Sequence, residues 1–342
     1  MRWDAQRVDA EEGRELPGYR DPAVVRTFDA PEALDTRFYE VRAKSALNRV
    51  PPASRVPFPW TVNPYRGCSH ACVYCFARPT HEYLEFDAGR DFEKEIVVKV
   101  NVPEVLRAEL SRPKWTHEHV ALGTNTDPYQ WVEGRYKLMP GIWEAFRDTG
   151  TPASVLTKSP LVLRDLELMR QVPDIAAALS VPTLEEKAWR STEPHTPHPR
   201  ARLEAVGELN RAGIPTSVLI APLQPGINDS PEQVERILEL AAEAGAVNVG
   251  GIALHLRGEV RGIFFDWLRS QRPDLLPLYE RLYKRGAYAP PAERRRLAAL
   301  VNRPGRGPGR FSREAAERRA EAEAELAQRR RKEAPPEQPR LF

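Results

Sequence analysis

The sequence predicts an α/β fold: a parallel sheet whose strands are joined by crossover helices. Two observations carry this. Short apolar, β-branched runs alternate with amphipathic segments of helical length, and the segment boundaries carry start and stop signals where such an alternation needs them. A chain that returns by a helix after each strand lays its strands side by side in parallel.

In chain order, HVALGT (119–124), SVLTKS (154–159), IAAALSVP (175–182), TSVLIAPL (216–223) and AVNVGGIAL (246–254) read as strands. PGIWEAFRDTG (140–150), LVLRDLELMR (161–170), PRARLEAVGELNRAG (199–213) and SPEQVERILELAAEAG (230–245) read as helices. Ser230 is placed as an N-cap, with Pro231 at the first helical position and Gln233 completing a capping box. Gly213 and Gly245 stand where helices stop. The expected organisation is an N-terminal extension over 1–60, a partly ordered strap ending in VPPASRVPFPW; the α/β core over 61–258; aromatic-rich covering helices over 259–300; and a basic, flexible tail over 301–342. A core of this size is large enough to be stable by itself, and no internal repeat is present beyond the alternation.

All three cysteines of the 342 residues lie in GCSHACVYCFARP (67–79), as Cys68, Cys72 and Cys75, spaced C-x3-C-x2-C. An odd number in one short cluster argues against disulfides and for a reducing compartment. The charged N-terminus has no apolar signal region, and no run approaches the roughly 20 apolar residues of a membrane span. A cytoplasmic protein without a membrane partner is expected. Clustered thiolates suit a metal. A structural zinc site needs a fourth ligand, for which His70 or His81 is available, and ferredoxin-type clusters likewise take four thiolates. Three thiolates on a four-iron cluster would leave one iron open, a place for chemistry. The other close histidine pair, His195 and His198 in PHTPHP, has zinc-like spacing but is read as a rigid loop because prolines flank it and no third ligand is near.

Loops at the carboxyl ends of parallel strands build active sites, and here they are polar. GTNTDPYQ brings Thr124, Asn125, Thr126 and Asp127; TKS brings Lys158; then come Ser180, APLQPGIND, and LHLRGEVR with His255 and Arg257. Together they read as a face for something polar and extended.

The C-x3-C-x2-C spacing, with Tyr74 before the last cysteine, resembles the signature of the radical S-adenosylmethionine (radical SAM) superfamily. NPYRGCSHACVYCFARPTHEYL, DFEKEIVVKVN, GTNTDPYQ, LTKSPLVLRDL, SVPTLEEKAWRSTEPHTPHPRARLEAV and LIAPLQPGINDSPEQV, spanning about residues 61 to 255, further resemble the branch that includes spore photoproduct lyase and proteins labelled DNA repair photolyases. That resemblance implies a partial (β/α)6 barrel, and a [4Fe–4S] cluster on Cys68, Cys72 and Cys75 whose open iron chelates S-adenosylmethionine. An electron then cleaves the cofactor to methionine and a 5′-deoxyadenosyl radical that abstracts a substrate hydrogen. It also implies that Tyr74, Thr126, Asp127, Lys158 and Ser180 approach S-adenosylmethionine, and that a flavodoxin- or ferredoxin-type donor supplies the electron.

The sequence departs from that branch at one place. Spore photoproduct lyases are described as carrying a further cysteine before their Thr-Ser-Asp stretch, where its thiol returns a hydrogen atom to the product radical. Thr124 stands here instead, and its O–H bond is too strong to serve alike. A tyrosine, with Tyr129 of DPYQ the candidate, would have to quench the radical, or S-adenosylmethionine is consumed, or the substrate differs. Thr124 and Tyr129 are therefore the candidate catalytic residues.

The partners follow from the remaining chain. The net charge is +3, yet residues 293–342 hold 14 Lys and Arg against 8 Asp and Glu. Such a tail suits phosphate-backbone contact, and aromatics interleaved with arginines in VNPYRG, DPYQWVEGRY and KAWR suit base stacking. A nucleic-acid base, in DNA rather than RNA, is the expected substrate. The terminal QPRLF, with Gln338, Leu341 and Phe342, resembles the peptide that docks on the bacterial DNA polymerase sliding clamp. The alternatives are a radical SAM enzyme acting on a peptide or small metabolite, and a non-catalytic Cys3His zinc module that binds nucleic acid.

Overall fold

The computed structural model describes residues 8–30, 35–54 and 56–302. Most of the expected basic tail, with the proposed clamp residues Gln338, Leu341 and Phe342, lies outside them. Among the described residues no helix is long and apolar enough to cross a membrane.

Among the described residues twelve strands occur in chain order: β1 (Val8–Arg14), β2 (Ala23–Phe28), β3 (Arg37–Val41), β4 (Leu47–Arg49), β5 (Trp60–Val62), β6 (Tyr65–Arg66), β7 (Glu95–Lys99), β8 (Val120–Leu122), β9 (Ala153–Thr157), β10 (Ala176–Ser180), β11 (Thr216–Leu223) and β12 (Val249–Ala253). Seven form one sheet in the order β12-β11-β10-β9-β8-β5-β4. Every neighbouring pair from β5 to β12 is parallel, and β4 closes the edge in antiparallel pairing. Six parallel strands laid down in chain order are the expected partial (β/α)6 arrangement. The register pairs Val62 with Leu122 and Leu122 with Val155, so the strands finish along one rim and their following loops gather there.

Helices return the chain between these strands. Leu138–Thr149 connects β8 to β9, Pro199–Arg211 lies between β10 and β11, and Pro231–Glu243 between β11 and β12. Ser230 caps the last of these by accepting a hydrogen bond from Gln233 N at 3.2 Å. Gly213 and Gly245 follow their helices with φ of 84° and 69°, the left-handed turn that glycine adopts at least cost. The segment expected as a helix over 161–170 is different: a 3-10 stretch, Pro160–Asp165, followed by one α-turn, Leu166–Met169. Ser159 caps Leu161 N, and Arg164 is bound to both Glu133 and Asp165, which fixes this short connection against the neighbouring loop.

The strap expected over 1–60 is largely a second sheet. Its order is β1-β2-β3-β7-β6, so three N-terminal strands pair onto β7, whose residues follow the cysteines. Phe38, Tyr65, Ile96 and Val98 turn one face of it into the main core, among Val62, Leu122, Trp143 and Phe146. The C-terminal helices Val260–Gln271 and Leu276–Leu282 pack elsewhere. Val260, Phe264, Trp267, Tyr279 and Tyr283 form a second cluster with Cys72 and Tyr74, and so pack against the cysteine loop. Burying four or five large aromatics there contributes on the order of 10 kcal/mol of gross apolar stabilisation.

Candidate active site

The cysteine loop leaves the edge of the second sheet just after β6. Gly67 starts it with φ of 78°, and a Cβ on Gly67 would lie 2.8 Å from Phe92 O, so the turn needs glycine. Cys68 N then donates to that same carbonyl at 2.9 Å. Cys68 and Cys72 are buried, Cys75 is half-buried, and all three are free thiols. Burial pushes the Cys72 thiol well above its ordinary value, aided by the charge of Glu193. Burial, and then Cys68, raise Cys75.

Arg78, itself buried, holds this loop from beneath. Its guanidinium donates to Cys72 O at 3.0 Å, Ala71 O at 3.2 Å, Ala88 O at 3.1 Å and Gly89 O at 2.7 Å, and pairs with Glu93. A planar fork can serve several carbonyls at once.

From the rim, the loop after β8 grips the same segment. Thr126 Oγ1 donates to Gly67 O at 2.7 Å, and Gln130, fully buried, accepts from Ser69 N at 2.9 Å through Oε1. Asp127 was expected to approach S-adenosylmethionine. Its carboxylate instead accepts from Tyr129 N at 2.9 Å, Thr157 Oγ1 at 2.6 Å and Lys158 N at 2.8 Å, and pairs with His70 Nδ1 at 3.3 Å. Four partners fill a carboxylate's acceptor sites. Burial pushes its pKa up, but His70 and the hydrogen bonds outweigh that and hold it below the usual range. Thr126 and Asp127 thus fasten the cysteine loop to β8 and β9.

Beside the thiols is a buried polar cluster. Lys158 Nζ donates to Ser180 Oγ at 2.6 Å and pairs with Glu193 at 3.0 Å, with its ammonium 5.7 Å from the centre of the Tyr74 ring. The Tyr74 hydroxyl donates to Glu193, and Arg202 pairs with the other carboxylate oxygen at 2.7 Å. Burial alone would raise the Glu193 carboxyl; Arg202 and Lys158 overcome it and hold it at about 2. Tyr74, Lys158 and Ser180, each expected to approach S-adenosylmethionine, are thus brought together. The carboxylate that unites them, Glu193 of STEP, is a residue the sequence reading missed, as it missed Gln130 and Arg78.

The two candidate catalytic residues separate. Thr124 lies on the rim, its hydroxyl 3.3 Å from Asn63 Oδ1. Tyr129 is turned into the main core, where its hydroxyl donates to Asp165 at 2.9 Å and accepts from Trp143 Nε1 at 2.7 Å. Enclosed there, it is not placed to meet a substrate radical. His81 lies between the rings of Phe86 and Phe92 and bonds to Glu95 O. His198 caps the helix Pro199–Arg211 through Arg200 N and packs edge-on to Trp189. Among the described residues no three His, Cys, Asp or Glu side chains, the three cysteines included, are gathered closely enough to hold a single metal ion.

Comparison with known proteins agrees with this architecture. The chain is 48% identical over 310 residues, 88% of its length and 91% of the relative's, to an uncharacterized protein of Mycobacterium tuberculosis. It is 26% identical over 183 residues to a protein of Pseudomonas phage M6 named as a radical SAM Nalpha-GlyT isomerase, covering 53% of this chain and 36% of that one. In fold it is similar to spore photoproduct lyase complexed with dinucleoside spore photoproduct, with a TM-score of 0.58, 15% identity and 77% of each chain covered. The family model of the radical SAM superfamily matches residues 62–241, from the end of the first parallel strand to the helix before the last. The chain belongs to the radical SAM superfamily.

Proposed function

We propose that this protein is a radical SAM enzyme that modifies or repairs a nucleic-acid base, with Cys68, Cys72 and Cys75 as the thiolates of a [4Fe–4S] cluster. The observation that carries the reading is the cysteine loop itself. Three free thiols lie on one loop clamped from two sides, against a buried pocket of fixed charge. The residues fit the group. Without a bound cluster the burial of Cys72 and Cys75 favours the thiol, and Ser69 Oγ and His70 Nε2 are buried without a hydrogen-bond partner, a state that costs free energy unless something occupies the site.

When bound, such a cluster supplies the electron that splits S-adenosylmethionine into methionine and a 5′-deoxyadenosyl radical, which takes a hydrogen atom from the substrate. The chain's own contributions follow from the geometry. Lys158 uses two of its three N–H donors on Ser180 and Glu193, which leaves one for the cofactor's carboxylate. Glu193, ionised throughout the working range, fixes that ammonium and the Tyr74 ring. The aromatic cover over Cys72 and Tyr74 excludes water from the radical. Thr124 stands on the rim without a thiol's weak bond to hydrogen, so the reaction ends by a route other than a cysteine at this position. Support for a nucleic-acid substrate comes from the fold shared with a lyase whose complex holds a dinucleoside spore photoproduct and from the basic chain end.

Anaerobic reconstitution tests the core of the reading. Iron and sulfide should bind, S-adenosylmethionine should yield 5′-deoxyadenosine under reduction, and Cys68→Ala, Cys72→Ala or Cys75→Ala should each abolish both. Stoichiometric zinc without iron, or cleavage that survives these substitutions, refutes it.

A further inference from the structure

One residue beyond the last cysteine, a row of planar groups lies on the surface. Phe76 is 55% exposed, and its ring centre is 6.0 Å from that of His255. His255 stacks on Tyr288 at 5.8 Å with the planes 29° apart, and Tyr288 is 46% exposed. The Arg257 guanidinium lies 5.1 Å from the Tyr288 ring centre and donates to its hydroxyl. Three separate stretches are brought together here. The loop after β12 meets the segment before the last helix through a bridge between His255 and Tyr288, with Leu256 N donating to Ala287 O at 2.8 Å. Gly258 brings that loop against Pro79, 3.7 Å from where its Cβ would be.

Exposed aromatics side by side are ordinarily spent on burial; Phe76 and Tyr288 instead stand exposed, each packed against the half-buried His255, next to the cysteine loop. We propose that Phe76, His255 and Tyr288 are a stacking platform for the bases of a single-stranded or locally opened nucleic acid, with Arg257 taking a phosphate. This rests on the nucleic-acid reading above and assigns that reading its surface. Charge complementarity selects the occupant. Lys284 and Arg285, on the same loop as Tyr288, are exposed and make no ion pair among the described residues, so this loop offers cations to a phosphate backbone. Burial, and then Arg257, hold His255 below the usual imidazole range, so it packs against Phe76 and Tyr288 as an uncharged ring. Stacking of this kind tolerates any base, since every base has a π-face.

The test measures fluorescence anisotropy of a labelled single-stranded oligothymidylate with the full-length reconstituted protein. Tyr288→Ala should weaken binding by at least about fivefold, the lower end expected for one lost stack, while Tyr288→Trp restores it. An abasic strand of the same length should bind the native protein more weakly than oligothymidylate binds Tyr288→Ala, because it loses every stack rather than one, and Tyr288→Ala should lower its affinity no further. Duplex should bind less well than single strand. Thermal melts of Tyr288→Ala and of Tyr288→Trp verify the fold. Equal affinity of native protein and Tyr288→Ala, or of thymidylate and abasic strands, overturns the platform and leaves the nucleic-acid reading standing. No binding by the native protein overturns both, whereas iron content and 5′-deoxyadenosine formation decide the radical chemistry separately.

Discussion

Arg78→Ala removes a buried cation that donates to four backbone carbonyls, two of them, Ala71 O and Cys72 O, inside the cysteine loop. A hydrogen bond from a charged donor contributes roughly 1.5–3 kcal/mol, but the four share one side chain and do not add. Glu93 is 26% exposed and can rehydrate. The loss should therefore lie at the upper cost of buried carbonyls left without a donor, about 3 kcal/mol. For a protein of this size that lowers Tm by about 4–5 °C. Differential scanning calorimetry of the cluster-free protein reads the shift, and iron per chain after reconstitution reads the loop. Arg78→Lys should fall between, since an ammonium has three donors for four carbonyls. A melting point within about 2 °C of native together with full iron content would show that the loop holds its shape without the guanidinium.

The other predictions concern the polar cluster and the rim. The Glu193 carboxyl stands at about 2 against an ordinary 4.5. Its contribution to stability is thus complete above the ordinary value and is lost as pH falls from 4.5 toward 2, a change on the order of 3 kcal/mol. Urea melts at a series of acidic pH values should show that loss, and Glu193→Gln should be destabilised at neutral pH and nearly flat across this window; an equally steep native-like loss in the variant would refute the assignment. Gly123 has φ of 80°, and a Cβ there would lie 1.9 Å from Leu156 O. Gly123→Ala should leave little soluble folded protein, and a variant that melts like the native chain would show that β8 and β9 can part without cost.

The parallel strands were legible because they are short, β-branched and bounded by turns, and the helix ends because Ser230 and the two stop glycines act locally. β1 was not legible: VDAEEGR is exposed along nearly all its length and has no apolar alternation to detect, its place being fixed by pairing to β2. β5 has three residues and lies within a proline-rich stretch. The site divides the same way. Spacing exposes Cys68, Cys72 and Cys75, and Lys158 and Ser180 are marked by their strand ends. Gln130 and Glu193 have no local signature, because Ser69 and Tyr74 lie 61 and 119 residues away along the chain; Arg78 has near partners, but they are mostly backbone carbonyls, which no residue type marks. Tyr129 misled for the converse reason: its sequence neighbours are rim residues, while the turn at Pro128 sends its ring inward to Trp143 and Asp165.

The loop after β8 keeps two duties on different residues. Thr126, Asp127 and Gln130 fasten the cysteine loop, whereas Thr124, on the open side, touches Asn63 by one long hydrogen bond. Nothing that shapes the thiols passes through residue 124. In evolutionary terms that position is free to drift: on the function proposed above, a lineage can exchange its side chain, and with it the way the reaction ends, while inheriting the cysteine loop and its polar cluster intact. Diversity of outcome then requires no reinvention of the cysteine loop, only substitution at a site from which no fold-bearing contact would be lost.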